Sequence, residues 1–254
     1  MDNSNIFKKS LKQDRRQIGF WLTLASVTAT EISAHAGFDW LLIDMEHSVN
    51  ELPDVLDHLR AATGGTAEPI VRVPWNEPVV VKRLLDAGAR TLLFPFVENV
   101  MEAKAAVEAT RYPPKGKRGV SSVTRATRYG RASGYAASYE TDLCVVVQVE
   151  TPAAVALAGE IASVDGVDGV FIGVGDLSAN MGMIGRGWNA EPVRDLAMAG
   201  LRSIRQAGKG AGTLNYDGGQ AKELFDAGFN FIAVGSDTGM LARGTDRLVA
   251  AFRE

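Results

Sequence analysis

Several short apolar runs in this sequence end on side chains that can move protons or hold cations. Trp40-Leu41-Leu42-Ile43 runs into Asp44, Glu46 and His47, and Ile70-Val71 runs into Arg72. Leu143 to Val147 leads to Gln148 and Glu150, while Phe171-Ile172 opens onto Gly173-Val174-Gly175-Asp176. Carboxylates gathered around one mouth raise each other's pKa and cost stability unless a cation compensates. An oxygen-only pair such as Glu150 and Asp176, with no cysteine or dense histidine cluster beside it, suits a hard divalent ion such as Mg2+ or Mn2+. Such a pair leaves coordination positions for substrate and water. The same residues also read as helix caps, because Glu150-Thr151-Pro152 is a helix-start pattern and Asp176 opens the next turn. Spacing alone leaves metal ligand and cap both open.

His47 is one of three histidines and stands beside acids, whereas His35 and His58 fall inside helical patterns and read as structural. An imidazole titrates near neutrality, so His47 suits a general base, against the plainer reading of a surface loop residue. Arg72 is a lone cation in an apolar strand and needs an anionic partner, either a bound carboxylate or enolate or a salt bridge to Asp44 or Glu46. Gly173 to Ser178 is a tight glycine turn whose N–H groups could approach an anion, although such a turn needs no ligand. Asp86 precedes Ala87-Gly88 as Asp226 precedes Ala227-Gly228, so by itself it reads as a repeat feature.

The elements that must position these residues come from a recurring pattern in which an amphipathic stretch, a glycine and a buried apolar run follow one another. It appears at Gly37, Gly88, Gly166 and Gly228. The glycine fits a left-handed helix end, and the apolar run fits a strand covered on both faces. Strands are expected at 18–24, 40–43, 70–73, 91–94, 143–149, 169–172, 210–213 and 231–234. Helices are expected at 28–36, 52–62, 79–87, 100–110, 151–163, 191–207, 218–227 and 237–252. This alternation predicts an α/β protein, a single (β/α)8 TIM barrel forming one domain over 1–254, with polar residues after the strands lying at the catalytic end. Segments 111–139 and 180–189 read as a long functional loop and a mobile loop.

Composition agrees with an enzyme-sized globular domain. Of 254 residues, 46% are apolar and 22% charged, which argues against a disordered or fibrous chain. Basic residues number 27 and acidic residues 30, giving a net charge of −3 and no cationic stretch for nucleic acid. The apolar runs are too short to span a bilayer, and 1–16 lacks the apolar segment of a secretory signal, so a cytoplasmic protein with no membrane partner is expected. The single cysteine, Cys144, is expected to be buried and inert.

The segments Phe38 to His47, Val71 to Asn76, Arg111-Tyr112-Pro113-Pro114 with Arg118-Gly119-Val120, Gln148 to Thr151 and Phe171 to Ser178 together resemble the HpcH/HpaI family of metal-dependent pyruvate aldolases. The resemblance implies reversible cleavage of 4-hydroxy-2-oxo acids into pyruvate and an aldehyde, a carbon-carbon lyase reaction through a metal-stabilised pyruvate enolate. It implies Glu150 and Asp176 as ligands of a divalent metal ion (Mg2+, Mn2+ or Co2+). His47 would be the base, Asp86 the residue raising its basicity, and Arg72 the enolate-stabilising cation. Gln148 and the backbone of Gly175 and Asp176 would contact substrate. A homo-hexamer with an exchanged helix is also implied. The alternatives are an acyl-CoA ester lyase on the same barrel and a non-catalytic keto-acid-binding barrel. A Schiff-base aldolase would need a lysine in the barrel, where the strands offer only Lys209 at an edge.

Overall fold

The computed structural model describes residues 4–253, so the expected domain 1–254 extends beyond it at residues 1–3 and 254. A short helix α1 (Ile6–Lys12) precedes β1 (Gln17–Leu22). The chain continues through α2 (Val27–Ala34), β2 (Trp40–Asp44), α3 (Leu52–Ala61), β3 (Glu68–Arg72), α4 (Pro78–Ala87) and β4 (Thr91–Phe94). Then come α5 (Val100–Thr110), α6 (Tyr135–Asp142), β5 (Cys144–Val149), α7 (Pro152–Ala156), α8 (Ala158–Ala162), β6 (Gly169–Ile172) and α9 (Val174–Asn180). The last elements are α10 (Glu191–Gln206), β7 (Gly210–Leu214), α11 (Gly218–Ala227), β8 (Phe231–Ser236) and α12 (Asp237–Ala250). The eight strands are parallel and close in sequence order, β8 pairing with β1, which is the expected (β/α)8 barrel.

Strand periodicity divides the core into two layers. Leu41, Ile43, Val71, Leu92, Val147 and Ile172 face outward and pack beneath the helices. Their neighbours Trp40, Leu42, Ile70, Leu93, Val146 and Phe171 fill the lumen. All four repeat glycines adopt positive φ, and Gly88 and Gly228, at φ 100° and 117°, end α4 and α11 in the left-handed cap that a side chain would strain.

Four elements depart from expectation, one of them α9, a helix over Val174–Asn180 where a tight glycine turn is expected. Helix α1 is absent from the sequence reading because 1–16 looks polar; its Phe7 and Leu11, one turn apart, plug the lumen from the N-terminal end. The expected helix 151–163 divides at Leu157, whose N–H is shared between the carbonyls of Ala153 and Ala154. The loop 111–139 gives way to α6 from Tyr135 onward. Cys144 is fully buried in the lumen, and burial pushes its thiol well above the usual range, as expected of an inert side chain. Among the described residues no helix is long and apolar enough to cross a membrane.

Candidate active site

The alternation that turns Leu42, Ile70 and Val146 into the lumen carries one step further at each strand end, to Asp44, Arg72 and Gln148. Asp44 and Arg72 are register partners on β2 and β3. Arg72 donates from Nε to Asp44 Oδ1 at 2.9 Å and from Nη2 to Asp44 Oδ2 at 2.6 Å, and its Nη1 lies 2.7 Å from Glu46 Oε2. Trp21 completes the group, its Nε1 donating to Asp44 Oδ2 at 3.1 Å and its ring lying 5.1 Å below the guanidinium carbon. The salt-bridge partners anticipated for Arg72 are thus both engaged.

Glu150 follows β5 and is wholly buried. Its Oε1 accepts the Phe96 N–H at 2.9 Å and its Oε2 accepts Gln148 Nε2 at 2.6 Å. Phe96 holds φ at 49°, an uncommon value for a bulky residue, and that backbone points its N–H at the carboxylate. Gly173 faces the same group so closely that a Cβ there would stand 2.6 Å from Glu150 Oε2 and 3.0 Å from Gln148 Nε2. The cap of α7 is Thr151, which accepts from Ala154 N, so Glu150 is free of the capping duty its position allowed. Asp176 and Gly175 lie in the first turn of α9, where backbone N–H groups have no intrahelical acceptor.

His47 lies on the loop after β2, 63% exposed, with Nε2 4.0 Å from Glu46 Oε2. Asp86 is not brought to it within this chain. Helix α4 runs antiparallel to the strands, so its last turn returns Asp86 to the N-terminal end of the barrel. There Asp86 Oδ1 accepts from Nη2 of the buried Arg118 at 3.0 Å. The carboxylate beside His47 is Glu46, one of the acids expected after β2 and an expected salt-bridge partner of Arg72. Phe96 has no signal in the sequence as a site residue, whereas Gly173 opens the glycine turn expected to approach an anion and is found against Glu150.

Charge at this mouth is unbalanced, with Asp44, Glu46, Glu150 and Asp176 facing one Arg72. Burial alone would raise the Asp44 carboxyl, but Arg72, the Glu46 N–H and Trp21 together hold it below its usual range. Glu46 is raised by burial and by Asp44 and Asp176, against Arg72 and His47. Burial pushes Glu150 up to about 7, with Glu46 and Asp176 adding to the rise while Gln148 and Phe96 oppose it. Gln148 Oε1 is buried without a hydrogen-bond partner. Excess negative charge, a carboxyl reluctant to ionise and an orphaned amide oxygen together fit a hard cation and its ligands. Among the described residues no three His, Cys, Asp or Glu side chains converge into a metal cage, so a cation here would rest on few protein carboxylates. Lys209 donates to Val167 O at 2.6 Å, before β7 and away from this mouth.

A family profile described as HpcH/HpaI aldolase/citrate lyase matches residues 17–244. The chain is 49% identical over 250 residues to a 4-hydroxy-2-oxo-heptane-1,7-dioate aldolase of Klebsiella pneumoniae subsp. pneumoniae, covering 98% of this chain and 94% of that protein. Its fold superposes on the crystal structure of an HpcH/HpaI aldolase/citrate lyase family protein from Burkholderia cenocepacia J2315 with a TM-score of 0.95, at 39% identity over 99% of this chain and 100% of the other. An HpcH/HpaI aldolase from Desulfitobacterium hafniense DCB-2 superposes with a TM-score of 0.90 at 25% identity, covering 99% and 98% of the two chains.

Proposed function

From the premise that the chain belongs to the HpcH/HpaI aldolase/citrate lyase family and is a carbon-carbon lyase, we propose that it reversibly cleaves 4-hydroxy-2-oxo acids into pyruvate and an aldehyde. The substrate class is that of 4-hydroxy-2-oxo-heptane-1,7-dioate, named for its 49% identical relative. The observation that carries this reading is the buried Glu150 carboxyl, raised to about 7 beside Glu46 and Asp176, which a divalent cation would relieve. The aldolase names of the relatives leave the acyl-CoA ester lyase and the non-catalytic barrel unfavoured.

Glu150 and Asp176 would hold the cation, and Mg2+, Mn2+ and Co2+ all suit an oxygen pair. When bound, it supplies Lewis-acid polarisation of the keto oxygen. The protein's own groups do the rest. The first-turn amides of Gly175 and Asp176 donate to the substrate's carboxylate, and Gln148 Oε1, an acceptor, faces its hydroxyl. Arg72, fixed by Asp44, puts a permanent positive charge where the oxyanion develops. His47 takes the C4 hydroxyl proton as the C3–C4 bond breaks, its electrons passing into the C2–C3 enolate while C4 becomes the aldehyde carbonyl. Protonation at C3 then gives pyruvate.

We extend the reading to assembly. Helix α12 buries only Asp237 and leaves Met240, Leu241 and Leu248 at 59%, 59% and 65% exposure, which supports packing on another copy in a homo-hexamer. Asp86 would then act on the His47 of a neighbouring copy, while Glu46 serves the His47 of its own chain. One barrel domain and a cytoplasmic location belong to the same proposal. Pyruvate release from 4-hydroxy-2-oxo-heptane-1,7-dioate, followed enzymatically with added divalent metal, tests the reaction. No release from any 4-hydroxy-2-oxo acid would overturn it, and a monomer in analytical ultracentrifugation would overturn the assembly.

A further inference from the structure

The loop between β2 and α3 carries Glu46 and His47, and it is braced from within. Asp44 Oδ1 accepts the N–H groups of Glu46 at 2.9 Å and His47 at 3.3 Å, and Ser48 Oγ turns back to donate to the Asp44 carbonyl. Asn50, 2% exposed, closes the loop. Its Nδ2 donates to the Asp44 carbonyl at 2.8 Å and to the Leu22 carbonyl at 3.3 Å, tying the ends of β2 and β1 together.

With Nδ2 facing two carbonyls, the Asn50 amide has one sensible orientation, and its Oδ1 is an acceptor. That oxygen faces Nε2 of His58 at 2.9 Å, while Nδ1 of His58 lies 2.6 Å from Thr30 Oγ1. The imidazole therefore carries its proton on Nε2 and accepts the Thr30 hydroxyl proton on Nδ1. Both His58 and Thr30 are 1% exposed. Burial lowers the His58 pKa against Asp54, Asp237 and Asp57, which keeps the ring in this neutral form. An apolar side chain on α3, beside Val55 and Leu59, would fill the same volume with no nitrogen to satisfy.

We infer that His58 is a positioning residue: as an Nε2–H donor it fixes Asn50, and through Asn50 the loop that presents Glu46 and His47 to the substrate. The inference rests on the aldolase reading above. The path runs from α3 through Asn50 to the ends of two strands, so a fault at His58 reaches the mouth through Asp44 and Glu46, the partners of Arg72, with no hydrogen bond to Glu150 or Asp176.

The test compares His58→Met, which fills the space without a donor, with His58→Gln, which restores an amide donor, and reads amide hydrogen exchange, kcat and KM. In His58→Met the amides of Glu46, His47 and Asn50 should exchange faster by about tenfold, the factor one lost hydrogen bond is worth. Its kcat should fall by about 10- to 100-fold with little change in KM, as for other supporting-shell losses. His58→Gln should recover most of both. If His58→Met does not fold, the isosteric Thr30→Val, which frees the ring, should move both readouts in the same direction. Wild-type protection across 45–50 in a folded His58→Met or Thr30→Val protein overturns the inference whatever the activity. Faster exchange in a variant of an inactive wild type would uphold the brace and sink the aldolase reading instead.

Discussion

Arg72 and Asp44 face each other across β3 and β2 and share two parallel hydrogen bonds, Nε to Oδ1 at 2.9 Å and Nη2 to Oδ2 at 2.6 Å. The fork uses the planar geometry of the guanidinium, which an ammonium cannot reproduce. The pair is therefore both a strand-end clamp and the mount that fixes a positive charge at the mouth.

Arg72→Lys should accordingly do two things at once. Losing the fork should cost about 1.5–3 kcal/mol of stability, the range for hydrogen bonds to charged groups, seen as a lower Tm. Turnover at a temperature where the variant is still folded should fall more than tenfold, roughly the loss of one oxyanion-stabilising donor. A lower Tm with wild-type kcat would reduce Arg72 to a structural partner of Asp44 and Glu46.

His47→Ala should lower turnover by about 10²- to 10⁴-fold, the usual contribution of one acid-base group, while metal binding measured calorimetrically stays near wild type. The side chain is 63% exposed, so the fold should not suffer. Undiminished turnover would move the proton to another group.

The Glu150 carboxyl gives the protein a pH signature. Its folded pKa of about 7 lies above the ordinary 4.5, so the metal-free protein binds an extra proton between these values. The stability this contributes is fully present below 4.5 and is lost as pH rises through about 7. A cation needs the ionised carboxylate, so the Tm gain on adding divalent metal should be larger at pH 8 than at pH 5.5. Glu150→Gln should flatten that difference. An equal gain at both pH values in wild type would contradict the assignment of Glu150 as a ligand.

Much of this site is legible in the sequence because barrel strands alternate strictly. Arg72, Gln148 and Glu150 interrupt apolar runs at positions that period two sends into the lumen, and the glycines at 88 and 228 mark where helices stop. Phe96 is illegible for a physical reason: it contributes a backbone N–H through a left-handed φ of 49°, which nothing in Phe94-Pro95-Phe96 signals. The partner of Asp86 is illegible for another. Sequence order shows that Asp86 ends a helix, but only the antiparallel return of α4 shows that this end lies opposite His47. Helix α1 hid because its apolar content facing the lumen is two residues, Phe7 and Leu11.

Gly173 should tolerate no side chain. A Cβ there would stand 2.6 Å from Glu150 Oε2, so Gly173→Ala must displace the carboxylate or its Gln148 partner. Metal affinity should weaken by about tenfold or more, in the range seen when a ligand loses its support. An unchanged metal titration would show that the carboxylate can move aside without cost.

Exchange of the pyruvate methyl protons for deuterium in heavy water, followed by proton NMR, tests the central claim most directly, because it needs the enolate and no aldehyde. With a divalent cation present the wild-type protein should exchange these protons rapidly; chelation should abolish the exchange, and re-adding Mg2+, Mn2+ or Co2+ should restore it. Full exchange in chelated protein, or a pyruvate adduct trapped by borohydride, would contradict an aldolase built on Glu150 and Asp176.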